Sequence, residues 1–517
     1  PQHECVTPTA PFGLKQEEYT MGDHLREGAG YRTHIVGKWD LGHYALQMWP
    51  TFRGFDTFFG LTCYGFNDYF THENKGFWDL HDWDAIHGRK NADSASSGVY
   101  STFLLGARAR DIIKAHPPAA PLFLYLPFNA VHNTLSVPDE WAKSEEAQAV
   151  MGSLTYDLRA DLAGALYLVD KECKGVVDAL KDKGMYQNTV IVTASDNGGS
   201  PVDGGNNWPL RGAKKTMFEG GHRVPCFLHS PLLSKEVRGT SFHGLVHVTD
   251  WVPTLVLGAA GVTTMPEGRQ AALDGFNLWE EFNKAGGSSP RKEVLLNIDY
   301  VSQLVDSVPV DDITKVWMGL VMELNGKLYK LILNQYDYAY YTPVSNSPSG
   351  TVRADYWDYL FDLTDDEAEK HNLLEHMAVS EKKHDMKELI FSLSERMCHF
   401  YEQMVPTQYK DADSSAKRVM MQGNDGFVTH WMDYDDTVQP ALKLELAPKC
   451  DANVLAKYLY AKHEDTNEDD ELGNDDIPPQ HDTLNAALSM LERKKAKLEH
   501  LAVRSGQKMA LRRSSTS

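Results

Sequence analysis

No stretch of eighteen apolar residues occurs in the chain, so no segment is built to cross a membrane as a helix. No Asn-x-Ser/Thr sequon is present, since Asn346-Ser347 is followed by Pro348; this leans against heavy N-glycosylation. The chain starts at Pro1 without a charged-then-apolar leader, so no signal peptide can be read. Cys5, Cys63, Cys173, Cys226, Cys398 and Cys450 form no CxxC and no zinc-finger spacing. Six cysteines among 517 residues leave the redox compartment open. Positive charge is scarce: 51 Lys and Arg stand against 72 Asp and Glu, a net charge of −21. That argues against a nucleic-acid backbone as partner. It also means that an anionic ligand must be met by cations gathered into one pocket.

What is present is ordinary globular composition, 42% hydrophobic and 24% charged, in a chain long enough for two or three domains with cores that need no disulfides. Residues 121–127 are an apolar run between prolines, and 189–194 a β-branched run; both read as buried strands. A helical stretch, 158–183, precedes the second and ends at Gly184. Helix, short loop and buried strand imply an α/β fold over residues 1–270, a mostly parallel sheet sandwiched by helices. Residues 271–402 read as a smaller α+β C-terminal domain, with a hairpin over 316–333 turning at Asn325-Gly326 and a helix over 376–402. Residues 403–517 form an extension with an acidic linker at 464–479, a charged helix at 482–504 and a polar tail. No internal repeat is found.

Both apolar runs end in polar residues, Asn129 and His132 after the first, Asp196 and Asn197 after the second. Open α/β sheets bind ligands at the carboxyl ends of their strands. Ser195-Asp196-Asn197-Gly198-Gly199 offers a carboxylate and an amide carbonyl to a hard cation such as Ca²⁺; the same residues are also good turn chemistry. Arg211, Lys214, Lys215 and Arg223 surround a Gly-rich turn and could hold an anion, or form a solvated basic loop. A short strand, 33–36, delivers Lys38 onto a Gly-flanked bend as an anion clamp or proton donor, or as an ordinary strand-end lysine. His132 could donate to an anion's oxygen or be structural. The aromatics of 61–98 (Tyr64, Phe66, Tyr69, Phe70, Phe77, Trp78 and Trp83) could stack on a sugar; packing is preferred, because aromatics bury large areas.

Taken in order, Gly37-Lys38-Trp39, Arg53-Gly54-Phe55-Asp56, His132, Ser195-Asp196-Asn197-Gly198-Gly199 and Asn206-Asn207-Trp208-Pro209-Leu210-Arg211-Gly212 through Glu219-Gly220-Gly221 and Arg223 resemble the sulfatase family. The pattern is similar to arylsulfatases of the N-acetylgalactosamine-4-sulfatase group. Farther on, Leu360-Phe361-Asp362-Leu363 through Asn372-Leu373 resembles the family's C-terminal signature. The resemblance spans about residues 18–375. It implies an alkaline-phosphatase-like fold and hydrolysis of sulfate esters of aryl or glycan substrates. It further implies a divalent ion, usually Ca²⁺, held in part by Asp196 and Asn197, with Lys38, His132 and Lys214 gripping the sulfate. It implies the secretory route, lysosomal or extracellular.

The sequence departs from the family in two places. Family enzymes oxidise the first residue of a C/S-x-P-x-R motif, upstream of Gly-Lys-Trp, to a formylglycine nucleophile; two aspartates of the metal site lie upstream as well. No such motif occurs: Cys5-Val6-Thr7-Pro8-Thr9 and Ser288-Ser289-Pro290-Arg291-Lys292 both miss it. Second, Asp40 stands where the family has His. Two explanations compete, an N-terminally truncated sulfatase and a degenerate relative that binds without cleaving. A phosphodiesterase of the same superfamily is a further alternative. The chain as written is expected to be inactive or nearly so.

Overall fold

Strand β1, Arg32–Lys38, lies inside the main sheet and is buried on both faces: Ile35 and Val36 are fully buried and, as successive strand residues, point to opposite faces. Ile35 packs with Trp39, Trp49, Phe55, Phe58 and Trp83 on one face, and Val36 with Phe59, Leu61, Leu80 and Leu105 on the other. In this computed structural model the residues described are 6–63, 68–84, 86, 88–91, 96–263, 273–300, 313–340, 350–375, 383–403, 412–423, 427–432 and 450–464. After β1 come β2 (Thr57–Leu61), a two-residue-strand hairpin of β3 (Glu73–Asn74) and β4 (Phe77–Trp78), then β5 (His81–Asp84), β6 (Gly88–Asn91) and β7 (Leu122–Tyr125). The main sheet runs β6-β5-β2-β1-β7. β1 pairs in parallel with β2 and β7, whereas β2–β5 and β5–β6 are antiparallel.

The architecture is α/β as expected, but the sheet is mixed rather than mostly parallel, because the β5–β6 hairpin adds an antiparallel end. β8 (Ile191–Ala194) pairs antiparallel with β9 (Cys226–His229) in a separate ladder. The two runs read as fully buried strands are only partly so. Leu122 to Leu124 are half-buried and Tyr125 is 48% exposed; in β8, Thr193 and Ala194 are exposed. Among the described strands each pairs on one side only. Their inner face rests on the helices Ser101–Ala115 and Asp157–Asp182, where Leu122, Leu124 and Ile191 meet Ile113, Ala179 and Leu180. The Asp157–Asp182 helix matches the expected helical stretch and gives way to Gly184 in the left-handed region. Of the 61–98 aromatics, Tyr69, Phe77 and Trp83 are buried and Tyr69 stacks on Tyr100; they pack. Tyr64 and Phe66 lie outside the described residues.

β10 (Glu293–Tyr300), β11 (Val316–Leu324), β12 (Lys327–Tyr340) and β13 (Gly350–Asp362) form an antiparallel meander. The β11–β12 turn is the expected Asn325-Gly326, both at positive φ (52° and 78°), which a two-residue hairpin requires. One face carries Met318, Leu320, Leu331, Leu333 and Leu360 against Ile390, Leu393 and Met397 of the helix Lys383–Glu402. The other carries Val321, Ile332, Tyr359 and Phe361 against Met217 and Phe218. Pro1–Ala461 make one compact unit, and this second face joins the C-terminal sheet to the loop that follows Lys214. Past Glu464, the expected acidic linker, charged helix and tail lie outside the described residues. No described helix is long and apolar enough to cross a membrane.

Cys398 and Cys450 form a disulfide across 52 residues of chain, tying the Lys383–Glu402 helix to the start of the helix Ala452–Glu464. Closing a loop of that size removes unfolded-state entropy, and reduction or Cys398→Ser is expected to lower stability by about 2–4 kcal/mol. Equal melting temperatures with and without reductant would show that the crosslink contributes nothing.

Candidate active site

The site assembles where the strands end. Lys38 is the last residue of β1, and its Nζ donates to Asp196 Oδ2 at 2.8 Å, just past β8. Lys214 Nζ lies 3.1 Å from His132 Nε2. His132 Nδ1 is 2.7 Å from the Asn133 carbonyl oxygen, which can only accept. Nδ1 therefore carries the proton, and Nε2 accepts from the lysine. Burial, reinforced by the charges of Lys214 and Lys38 against the pull of the Asn133 carbonyl, lowers the His132 pKa, so the ring is neutral at pH 7. The two pairs feel each other's charges: Lys214 acts on Asp196, and Lys38 and Asp196 act on His132.

Backbone contacts hold these side chains in place. Asn207 Nδ2 donates to the carbonyls of Gly199 (2.9 Å) and Gly212 (3.0 Å), and its Oδ1 accepts from Gly199 N at 2.8 Å. Lys214 N donates to Gly199 O at 3.2 Å. The loop after β8 and the Arg211–Lys214 loop are thus fastened together by one amide side chain. On the opposite flank Asn133 Nδ2 donates to Asp203 Oδ1 at 2.5 Å. Asn207 and Asn133 were not singled out in the sequence. The signal for Asn207 was its place in the Asn206–Gly212 motif, which reads as a family mark rather than as a fastener.

Burial opposes charge on Lys38 and Asp196, but their ion pair prevails. It raises the lysine's pKa and lowers the aspartate's, so both are ionised at neutral pH. Asp40 is different. Burial first, then the nearby Asp79 and Asp196 carboxylates, outweigh Lys38 and Lys214 and push it up to about 7. Its buried Oδ1 finds no hydrogen-bond partner among the described residues. Repulsion between this carboxylate and an anion is therefore blunted, since near neutral pH the group is about half protonated.

Of the four cations around the Gly-rich turn, Lys214 reaches His132 while two are tied elsewhere. Arg211 is buried over the rings of Phe218 (4.4 Å) and Tyr359 (4.9 Å) and donates to Glu369 O. Arg223 pairs with Glu367 and Glu219. Lys215 is exposed at φ 74°.

A calcium ion needs six to eight oxygens. Asp196 and Asn197 stand side by side, yet one Asp196 oxygen is taken by Lys38 and Asn197 Nδ2 donates to the carbonyl of Gly198. Among the described residues no group of three or more His, Cys, Asp or Glu is placed to hold a metal. These residues alone do not fit the ion, and no step below runs through it. Calcium titrated into the protein, followed by calorimetry, is expected to bind no tighter than about 1 mM; a micromolar constant would overturn this. Asp40 yields a second expectation. Its folded-state pKa lies above the ordinary carboxylate range, so its penalty appears as pH rises out of that range and is full above about 7. Asp40→Asn should leave stability near pH 4 unchanged. At pH 8 it should add about 2 kcal/mol, within a ceiling of about 4 for a fully dry site. Parallel melting curves of the two proteins at pH 8 would contradict it.

Comparison with known proteins matches the chain to a family. The sulfatase family model covers residues 1–262. The chain is 40% identical over 298 residues to mouse arylsulfatase J, covering 58% of this chain and 47% of that protein. It is 29% identical over 276 residues to human N-acetylgalactosamine-6-sulfatase, covering 52% and 48%. The chain thus spans about half the length of these relatives. Among solved structures, Ps i-CgsB in complex with k-i-k-neocarrahexaose superposes with TM-score 0.59 at 25% identity, covering 82% of this chain and 83% of that one. On the strength of the family match and the fold, the chain belongs to the sulfatase family.

Proposed function

We propose that this protein acts in sulfuric ester hydrolysis, and that Lys38, His132 and Lys214 form the seat of the sulfate group. The observation that carries this reading is that two lysines from distant parts of an acidic chain stand at the strand ends, Lys214 against a neutral imidazole and Lys38 on Asp196, near enough for Lys38 to act on that imidazole as well. Each ammonium has three N–H donors. Lys38 directs one to Asp196 and Lys214 one to His132, which leaves donors for sulfate oxygens. As the ester bond breaks, negative charge grows on the leaving and non-bridging oxygens, and preorganised cations stabilise that charge more than the ground state. His132 holds Lys214 in place and, through Nε2, can take up and return a proton at the Lys214 ammonium.

The substrate class follows from the relatives only in outline: a sulfated glycan or an aryl sulfate. The solved neighbour that was crystallised with a carrahexaose favours a glycan. No C/S-x-P-x-R segment occurs in the 517 residues, and without it no residue described here supplies the attacking oxygen. We therefore assign these residues the binding and charge-stabilising half of the reaction.

Inorganic sulfate titrated into the protein is expected to bind, and Lys214→Ala to weaken binding by about tenfold or more, the worth of a charge-assisted hydrogen bond. Arg223→Ala should have little effect. The 517-residue polypeptide should release no sulfate from 4-nitrophenyl sulfate above the rate in buffer. Sulfate binding indifferent to Lys214→Ala would remove the site from this location. Turnover by this polypeptide would refute the division of roles.

A further inference from the structure

Lys330 lies on β12 in the C-terminal sheet, and its side chain is 0% exposed. A lysine is almost never fully buried unless paired. Its Nζ stands 2.6 Å from Glu219 Oε1, 2.7 Å from Glu369 Oε1, 3.1 Å from His222 Nε2 and 3.2 Å from Met217 O. The two carboxylates and the Met217 carbonyl satisfy its three N–H groups, while His222 Nε2, 3.0 Å from that same carbonyl, donates to it. Glu369 closes the arrangement: Oε2 accepts from Glu219 N at 2.6 Å, and its carbonyl accepts from Arg211 at 3.1 Å. None of these groups touches the proposed sulfate seat.

They do touch what holds it. Glu219 opens the turn of helix Glu219–His222. Within that turn Gly220 N donates to Arg211 O at 2.7 Å, and Gly221 O accepts from Gly198 N at 2.9 Å. Gly198 follows Asp196 and Asn197, and Arg211 leads into Lys214. The Glu219–Gly221 backbone therefore sits between the two loops that present the Lys38–Asp196 and Lys214–His132 pairs. The ammonium under it comes from the C-terminal sheet.

We infer that Lys330 is a positioning residue for the sulfate seat, clamping the Glu219–Gly221 turn through Glu219 and Glu369 so that Lys214 stays against His132. Removing one partner from a buried charge cluster leaves uncompensated carboxylates, and these would push the turn away from its present place. The inference rests on the sulfate-seat reading, but the Lys214–His132 contact exists without any ligand and can be followed independently.

The test compares wild type with Lys330→Met and Lys330→Arg at temperatures well below unfolding. Two quantities are read: the affinity for inorganic sulfate, and the titration midpoint of the His132 imidazole by NMR. In Lys330→Met, sulfate binding should weaken about tenfold. The His132 midpoint should rise, because the Lys214 ammonium that holds it down has withdrawn. Lys330→Arg should recover part of both. A folded Lys330→Met protein with wild-type sulfate affinity and an unmoved His132 midpoint, whatever its melting temperature, overturns the inference. If wild type binds no sulfate, the functional reading fails while the His132 midpoint still decides the role of Lys330. Should Lys330→Met not fold, Glu369→Gln takes its place. It keeps the volume but leaves one acceptor oxygen where the carboxylate uses two, so either the Glu219 N–H or the Lys330 ammonium faces an amide NH2, and the midpoint should move the same way; an unmoved midpoint there also overturns the inference.

Discussion

Two backbones pass in direct contact at Gly198 and Gly220-Gly221, and the site exists because nothing stands between them. A Cβ on Gly198 would lie 1.8 Å from Gly220 O, and one on Gly220 would lie 2.6 Å from Arg211 O. Any side chain at either place would drive the loop after β8 away from the Arg211–Lys214 loop. It would separate Asp196 from Lys214 before any question of charge arose. The glycines also let Gly198 N reach Gly221 O. The contact is unforgiving on one side and supported on the other, where Glu219 meets the Lys330 ammonium. The seat is thus held by the close approach of main chain above and by a buried charge cluster below.

For the sulfate seat proposed above, an acidic chain has to separate its negative charge from the pocket, and the separation here is local. Lys38 is matched by Asp196, Lys214 faces a neutral imidazole, and Asp40 is held near 7. The long-range field of a chain with net charge −21 is screened over about 8–10 Å at ordinary ionic strength. On the proposed reading, what a sulfate group meets at contact is therefore the two ammonium groups.

The placement of the site at strand ends was legible because it follows from a general property of open sheets and from polar residues standing after apolar runs. Asp196 and His132 could be found that way. Lys38 and Lys214 became legible only in combination, since each alone is an ordinary lysine. The hairpin at Asn325-Gly326 was legible from its two turn residues. The mixed sheet was not: β5 and β6 contain His81-Asp82-Trp83-Asp84 and Gly88-Arg89-Lys90-Asn91, with no apolar period to mark them as strands. Arg211 misled because a sequence shows a charge but not the aromatic rings that enclose it. Lys330 left a trace that went unread. It shares the period-2 face of β12 with Ile332, so it had to point at the same core, and a buried lysine demands carboxylates that lie far away in sequence.

The half-exposed strands β7 and β8 have a meaning beyond the pocket. Each is hydrogen-bonded to a neighbour along one edge among the described strands, and apolar rings stand nearby in water, Tyr125 at 48% and Phe227 of β9 at 59% exposure. A bare row of N–H and C=O groups is a template for any extended segment, including one from another copy of the same polypeptide. Among the described strands, the two that lead into the candidate site each leave such an edge. An uncovered edge of this kind can take up an extended segment, so the strands that lead into the candidate site are also the places where a second chain can add.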